Sequence, residues 1–445
     1  MASDLLSIAK SGTRAARIAL DVTAQNIANA SSEGYVRRSV ALEEVASSGG
    51  FNRQGDVSLS GVRLDRIVRN ADMFRQSEAR RTGSDAARAN AEVAGLENVE
   101  AALEGADFYS AITKFEGSLQ QLSADPTNNS LRAAVLEDSR TLARSFNIAS
   151  QALDSARDGM QFEADAGVIQ VNQFTEELGR VNLRLARAAD SSSDQTALLD
   201  QRDSLLKKMS DLTDITTTFS ADNTVEVKLG GSSGEVLVAG GAASPLAMAK
   251  AADGTISFTV GGDPVSLTGG ALAGKQLALA KLADTRGRVD AVASSIVTTA
   301  NASQAAGVAL DGSAGQPMFS GTTAGTMSLA LTSGSGIATA PAGAGANSRD
   351  VSNLEALRNA LATTNPAGQA DAAIFDISSA VSGRSISRDA LQTIADNANI
   401  ALQAQAGVDL DQEAVNLIRF QQAFQASGRV MQIASELFDT LMGIK

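Results

Sequence analysis

The stretch that decides the fold is 410–444, LDQEAVNLIRFQQAFQASGRVMQIASELFDTLMGI. In it Leu410, Leu417, Phe424, Met431 and Phe438 recur every seven residues. Phe420, Ala434 and Leu441 fill the d-like positions, while Val430, Leu437 and Ile444 widen the apolar stripe. About four such heptads predict a helix with a coiled-coil seam. Asp409 and Asp411 stand where negative charge favours a helix N-terminus. Gln421, Gln422, Gln425 and Gln432 form the polar face. Near the start of the sequence, Leu5, Ile8, Ala15, Ala19 and Val22 follow the 3/4 spacing and line one face of a second helix.

Working outward from these ends, the pattern predicts a mainly α chain. Helices are expected over 83–122 and 130–212, with a break at Asp125-Pro126-Thr127. Leu198, Leu205 and Leu212 continue the heptad spacing, and Leu279, Leu282, Val289, Ala293, Ile296 and Ala300 keep the 3/4 step. Two further helices are expected at 351–361 and 387–406. Strand-like alternation starts near Thr216, with Val225, Val227 and Leu229 and then Ile256, Phe258 and Val260 pointing to one side. Glycine pairs punctuate these runs as turns. The Gly/Ser/Ala-rich stretch 321–350 fits a long loop and a loose hairpin equally.

Composition removes most chemistry. The 445 residues include no His, no Cys and no Trp, with 37 Lys+Arg against 50 Asp+Glu. Zinc sites of the usual kinds, disulfides, thiol nucleophiles and His-assisted serine hydrolysis are therefore excluded, and no cofactor is expected. A net charge of −13 argues against nucleic acid. No apolar run is long enough for membrane insertion. Asp4, Lys10, Arg14 and Arg17 interrupt the first twenty residues, which do not read as a cleaved signal peptide.

The remaining motifs are near misses. Gly269–Lys275 has phosphate-loop spacing, but Gln276 stands where Ser or Thr must ligate magnesium, so a turn entering a helix is the better reading. Ser7-x-x-Lys10 and Ser204-x-x-Lys207 lack the partner motifs of penicillin-interacting enzymes. Carboxylate pairs such as Glu43/Glu44 and Glu176/Glu177 read as solvated charge. No set of residues converges on a catalytic site.

The segment 26–38, NIANASSEGYVRR, behaves differently. Asn29 is expected to end the first helix in a left-handed turn, and Gly34 offers a second permissive position. Tyr35, one of two tyrosines, precedes Arg37 and Arg38 at the entry to an extended stretch. The pattern Asn29-x-x-Ser32-x-Gly34-Tyr35 resembles the signature of the bacterial flagellar axial proteins (rod, hook and hook-associated), with Ser32 where the family usually has Thr. Residues 408–427 closely resemble the corresponding end of the hook-filament junction family, the hook-associated proteins of FlgK type. Leu198-Leu199-Asp200-Gln201-Arg202-Asp203 is similar to an internal segment of that family. So are Ala305-Ala306-Gly307 and Leu310-Asp311-Gly312, without the upstream His often found there.

The resemblance implies a structural protein that works by assembly at the hook-filament junction. The two end helices would pair in the inner core, Leu5, Ile8, Ala15, Ala19 and Val22 against Leu417, Phe424, Met431 and Phe438, with outer edges meeting neighbours. Implied partners are further copies of the chain, the hook protein and a second hook-associated junction protein. An export chaperone on the C-terminal helix and the flagellar type III export apparatus are implied as well, with an extracellular location. The expected division is a terminal coiled-coil core (1–50 with 400–445), a helical body (51–220 with 271–399) and a small inserted β domain (221–270). A hook or distal rod protein is the alternative within the family, and an acidic enzyme the alternative outside it.

Overall fold

The computed structural model describes residues 2–32, 34–46, 59–190 and 192–442. In chain order the first elements are α1 (Ala2–Ala28), β1 (Arg38–Ala46), β2 (Leu59–Arg69), α2 (Met73–Glu104), α3 (Phe108–Ala124), α4 (Asn129–Leu185) and α5 (Ser193–Leu212). Short strands follow: β3 (Ile215–Phe219), β4 (Val225–Leu229), β5 (Val236–Ala239), β6 (Ala242–Ala243), β7 (Leu246–Lys250), β8 (Ile256–Val260) and β9 (Asp263–Val265). Then come α6 (Gly270–Ala306), β10 (Gly307–Val308), β11 (Phe319–Ser320), β12 (Ser328–Leu329), β13 (Ala340–Pro341), α7 (Ser352–Thr364), α8 (Pro366–Ala406) and α9 (Leu410–Met442). The fold is mainly α.

Local chemistry explains the boundaries. The break at Asp125–Thr127 lies between α3 and α4, where Pro126 cannot continue a helix. Asn128 caps α4, its side-chain oxygen accepting from the amide of Ser130 at 2.9 Å. Ser192 caps α5 through the Gln195 amide. Left-handed Asn365 ends α7, and Pro366 opens α8 at the one helical position that suits it. Two breaks inside the expected helices 83–122 and 130–212 went unread. One falls at Gly105–Asp107, where Asp107 is left-handed; the other spans residues 186–192. Helix α8 also starts about twenty residues earlier than its expected position.

The chain forms two compact units, Met1–Ser84 with Val171–Pro245 and Gln392–Lys445, and Asp85–Gln170 with Leu246–Leu391. This corrects the expected three-part division. The single β domain expected over 221–270 is two antiparallel sheets, β3-β4-β5-β6 in the first unit and β7-β8-β9 in the second. Each is anchored separately. In the first unit the buried Asn182 amide donates to the carbonyls of Val225 and Gly240, both at 2.9 Å. In the second, Gln161 donates to the Gly254 carbonyl at 2.8 Å. Alternation reveals strands but not which strands share a sheet.

The first unit also holds an antiparallel β1–β2 ribbon beside α1, absent from the sequence reading, in which Val62 donates its amide to Ser11 Oγ at 3.2 Å. The second unit has the conventional core. Phe108 lies 5.5 Å from Phe146, and Phe115 lies 6.0 Å edge-on to Phe319. The buried Arg132 replaces a loop's own hydrogen bonding, donating to the carbonyls of Pro126 and Ile337 and to Thr339 Oγ1. In 321–350 there is neither a free loop nor a full hairpin: two-residue ladders join β11 to β12 and β10 to β13.

Candidate functional site: the paired helices and their root

Helices α1 and α9 pack along each other within the first unit. The contact is lined with small residues: Ala9, Ala15, Ala16 and Ala19 are buried on α1, and Ala434 on α9. A Cβ on Gly12 would stand 2.9 Å from Ser427 Oγ, so the two backbones come close there. Of the residues expected at this interface, Ala15, Ala19 and Val22 are buried, while Leu417, Phe420 and Met431 are half-buried. Leu5, Ile8, Leu410, Phe424, Leu437 and Phe438 stay exposed, Phe438 by 52%. Leu441 lies on α9 with its side chain outside those described, and Ile444 lies outside the described residues.

The expected packing of the whole α9 stripe against α1 is thus corrected. The apolar arc of α9 is wider than one partner helix covers, and the alanine face of α1 takes only the middle of it. Val415, Ile418, Val430 and Ile433 extend the uncovered surface. An apolar patch of this extent is the mark of a surface made for another protein.

The root of the pair is built from residues 26–38. Asn26, buried to 1% exposure, accepts from the Tyr35 hydroxyl at 2.9 Å and from the Arg38 amide at 3.0 Å, and donates to the Arg38 carbonyl at 2.8 Å. The chain therefore doubles back on α1. Gly34 sits at φ +78°, which only glycine adopts freely, and makes that return possible. Asn29 does not adopt the left-handed turn expected of it. Its side chain donates to the Gln25 carbonyl at 2.9 Å, capping α1 by another route. Burial raises the Tyr35 phenol, with Asp200 and Glu413 pushing the same way against Arg38, so it remains a neutral donor.

Arg37 ties both end helices together. Its amide donates to the Ala406 carbonyl at the end of α8, its guanidinium meets Glu413 on α9 at 2.7 Å, and its carbonyl accepts from Asn70. Arg38 reaches Asp200 at 2.8 Å. Arg69, from the end of β2, pairs with Asp200 and Asp203 at 2.7 Å each. Arg202 closes the cluster on Asp203 and stacks over Phe219, while Gln76 adds a 3.0 Å hydrogen bond. Burial alone would raise the Asp203 carboxyl, but Arg69 and Arg202 override it and hold it below its usual value. Asp200, Arg202 and Asp203 all come from the segment singled out on α5. Their role was not readable, because the partners lie more than a hundred residues away in sequence.

None of the near-miss motifs forms a site. Gly269 precedes α6, and Lys275 pairs with Glu163. Among the described residues no group of three or more His, Cys, Asp or Glu suits a metal ion.

Comparison with known proteins follows the same regions. The family model of the flagellar hook-associated protein FlgK helical domain matches residues 93–319, just over half of the chain. Residues 6–35 match the flagella basal body rod protein model, and 402–444 match the C-terminal model of flagellar basal body rod FlgEFG proteins. Flagellar hook-associated protein 1 of Bacillus subtilis is 28% identical over 240 residues, covering 50% of this chain and 47% of that protein. Its namesake from Salmonella typhimurium is 23% identical over 249 residues, covering 55% and 44%. The chain thus spans under half the length of these relatives. A solved structure, the flagellar hook junction protein FlgK from Burkholderia pseudomallei, aligns with TM-score 0.49 and 25% identity over 54% of this chain and 46% of that one.

Proposed function

Because the chain belongs to the family of the flagellar hook-associated protein FlgK helical domain, we propose that it is a structural subunit of the bacterial flagellum at the junction of hook and filament. It works by assembly and performs no chemistry. The observation that carries this reading is the uncovered outer face of the α1/α9 pair, where Leu5, Ile8, Phe424, Leu437 and Phe438 remain in water. A lone chain gains nothing from that exposure; a lattice or ring of copies, each offering its outer face to a different face of the next, buries it. The hook protein and a second junction protein are the neighbours above and below. Before assembly, an export chaperone would mask α9 in a groove during type III export, and the assembled protein would be extracellular.

Labelled antibody on isolated flagella tests the reading directly. A band at the hook-filament boundary is expected, whereas uniform hook labelling would overturn it in favour of a hook protein. Deleting 410–445 should abolish incorporation while the second unit keeps its thermal unfolding transition; loss of that transition would count against the division of labour proposed.

A further inference from the structure

The first unit contains a cavity of about 700 Å³ beside the root of the helix pair. Its walls come from 30–36, from α2 around Arg80, from α5 at Lys207 and Lys208, and from 399–409 at the end of α8. Arg80 is 8% exposed, yet its one hydrogen bond among the described residues is a 3.5 Å contact with Thr217 Oγ1, and no carboxylate pairs with it. Burial lowers its affinity for its proton, with Arg202 acting in the same direction and Asp203 opposing. Asp203 is already shared by Arg69, Arg202 and Gln76.

The charge count at this place does not close. Arg38, Arg69, Arg80 and Arg202 face Asp200 and Asp203, four guanidinium groups against two carboxylates. Lys207 and Lys208 are matched in number by Asp211 and Asp409 on the cavity wall. Within the cluster, Arg38 Nε and Arg69 Nη2 are buried without hydrogen-bond partners. Two surplus cations held away from water are costly, and the missing term is anionic.

We propose that this cleft receives a carboxylate-bearing segment of a second copy of the chain, with Arg80 at its floor and Lys208 at its mouth. The proposal rests on the self-assembly reading above. A second copy is the fitting occupant for two reasons. The chain carries 50 acidic against 37 basic residues, so its surface supplies carboxylates in excess. The cleft walls also run directly into α1 and α9, whose exposed apolar faces await the same neighbour.

The test uses the full chain and two variants. Arg80→Met keeps the volume and removes the charge; Lys208→Glu changes an exposed residue that packs against nothing. Both should raise the concentration needed for assembly by at least about tenfold, measured by sedimentation. The free Arg80→Met chain should keep its Tm or gain, since it loses an uncompensated buried cation. Carbodiimide treatment of mixed isotope-labelled copies should join Lys208 to a carboxylate of the other copy. If the wild type assembles and both variants match it, the cleft proposal falls and self-assembly stands. If the variants weaken assembly no more than equimolar phosphate relieves, the cleft binds a free anion and the proposal is overturned. If the wild type does not assemble at all, the self-assembly reading fails, and the proposed occupant with it.

Discussion

Helices α6 and α9 are of similar length, 37 and 33 residues, yet they are finished to different degrees. In α6, Leu279, Leu282, Val289, Ala293, Ile296 and Ala300 are all buried to 1% exposure or less, the same residues that carry its 3/4 spacing. In α9 the side chains buried are those of Glu413, Asn416 and Ala434, while most of the heptad apolar residues remain half or more in water. Both helices announce themselves by periodic apolar residues. The difference teaches that periodicity reports a surface to be covered and is silent on whether the same chain covers it.

The strongest way to break the comparison is at the root, where α9 is tied to its unit by charge and not by apolar packing. Asp203→Asn leaves Arg69 and Arg202 buried without their shared counter-ion and should cost about 3–5 kcal/mol. The pH dependence follows from the direction of its shift. Because the folded carboxyl titrates below its usual value of 3.8, its contribution is complete above that value and fades as pH falls through the lower, folded one. Urea melts at neutral pH and near pH 3 should therefore separate wild type from variant strongly at neutral pH and far less in acid. Equal separation at both would mean that Asp203 acts by packing.

A second test sets the two helices against each other directly. Ile296→Ala in α6 removes a side chain with no exposure and should cost the second unit about 2–5 kcal/mol, read by denaturant unfolding. Its counterpart Phe438→Ala, on a residue 52% exposed, should leave the free chain within about 0.5 kcal/mol of wild type. A large loss for Phe438→Ala in the free chain would show that α9 is already covered.

These contrasts also mark what could be read from residues alone. The helices, the break at Pro126 and the α9 stripe were legible because local spacing causes them. The β1–β2 ribbon was not, since Arg38–Ala46 alternates poorly, with Glu43 and Glu44 adjacent. The buried cluster was hidden for a different reason: Arg38 and Asp200 are 162 positions apart, and each alone looks like solvated charge. Asn26 stood in the segment quoted for its resemblance, yet nothing local distinguishes a helix-facing amide from one that holds a returning strand. Among the residues proposed for assembly, spacing identified the stripe correctly but could not sort Ala19, buried against its own chain, from Phe424, left for another.

The smallest effect sharpens the comparison at the helix starts. The first turn of α6 has no side-chain cap, because Gly269 precedes it and the buried Leu272 and Ala273 hold that turn by packing. The first turn of α9 lacks such packing at Leu410, which is 54% exposed, and it relies on Asp409, whose carboxylate accepts from the amides of Asp411 at 3.0 Å and Gln412 at 3.2 Å. Asp409→Ala should cost about 1 kcal/mol and speed hydrogen exchange of those two amides about fivefold, with the α6 amides unchanged. The neighbouring Glu413 would lose nothing directly, since its own partner is Arg37, so the loss should stay within the first turn. Exchange that accelerates along the whole of α9 would mean that the cap, and not the Arg37–Glu413 tie, sets where this helix begins.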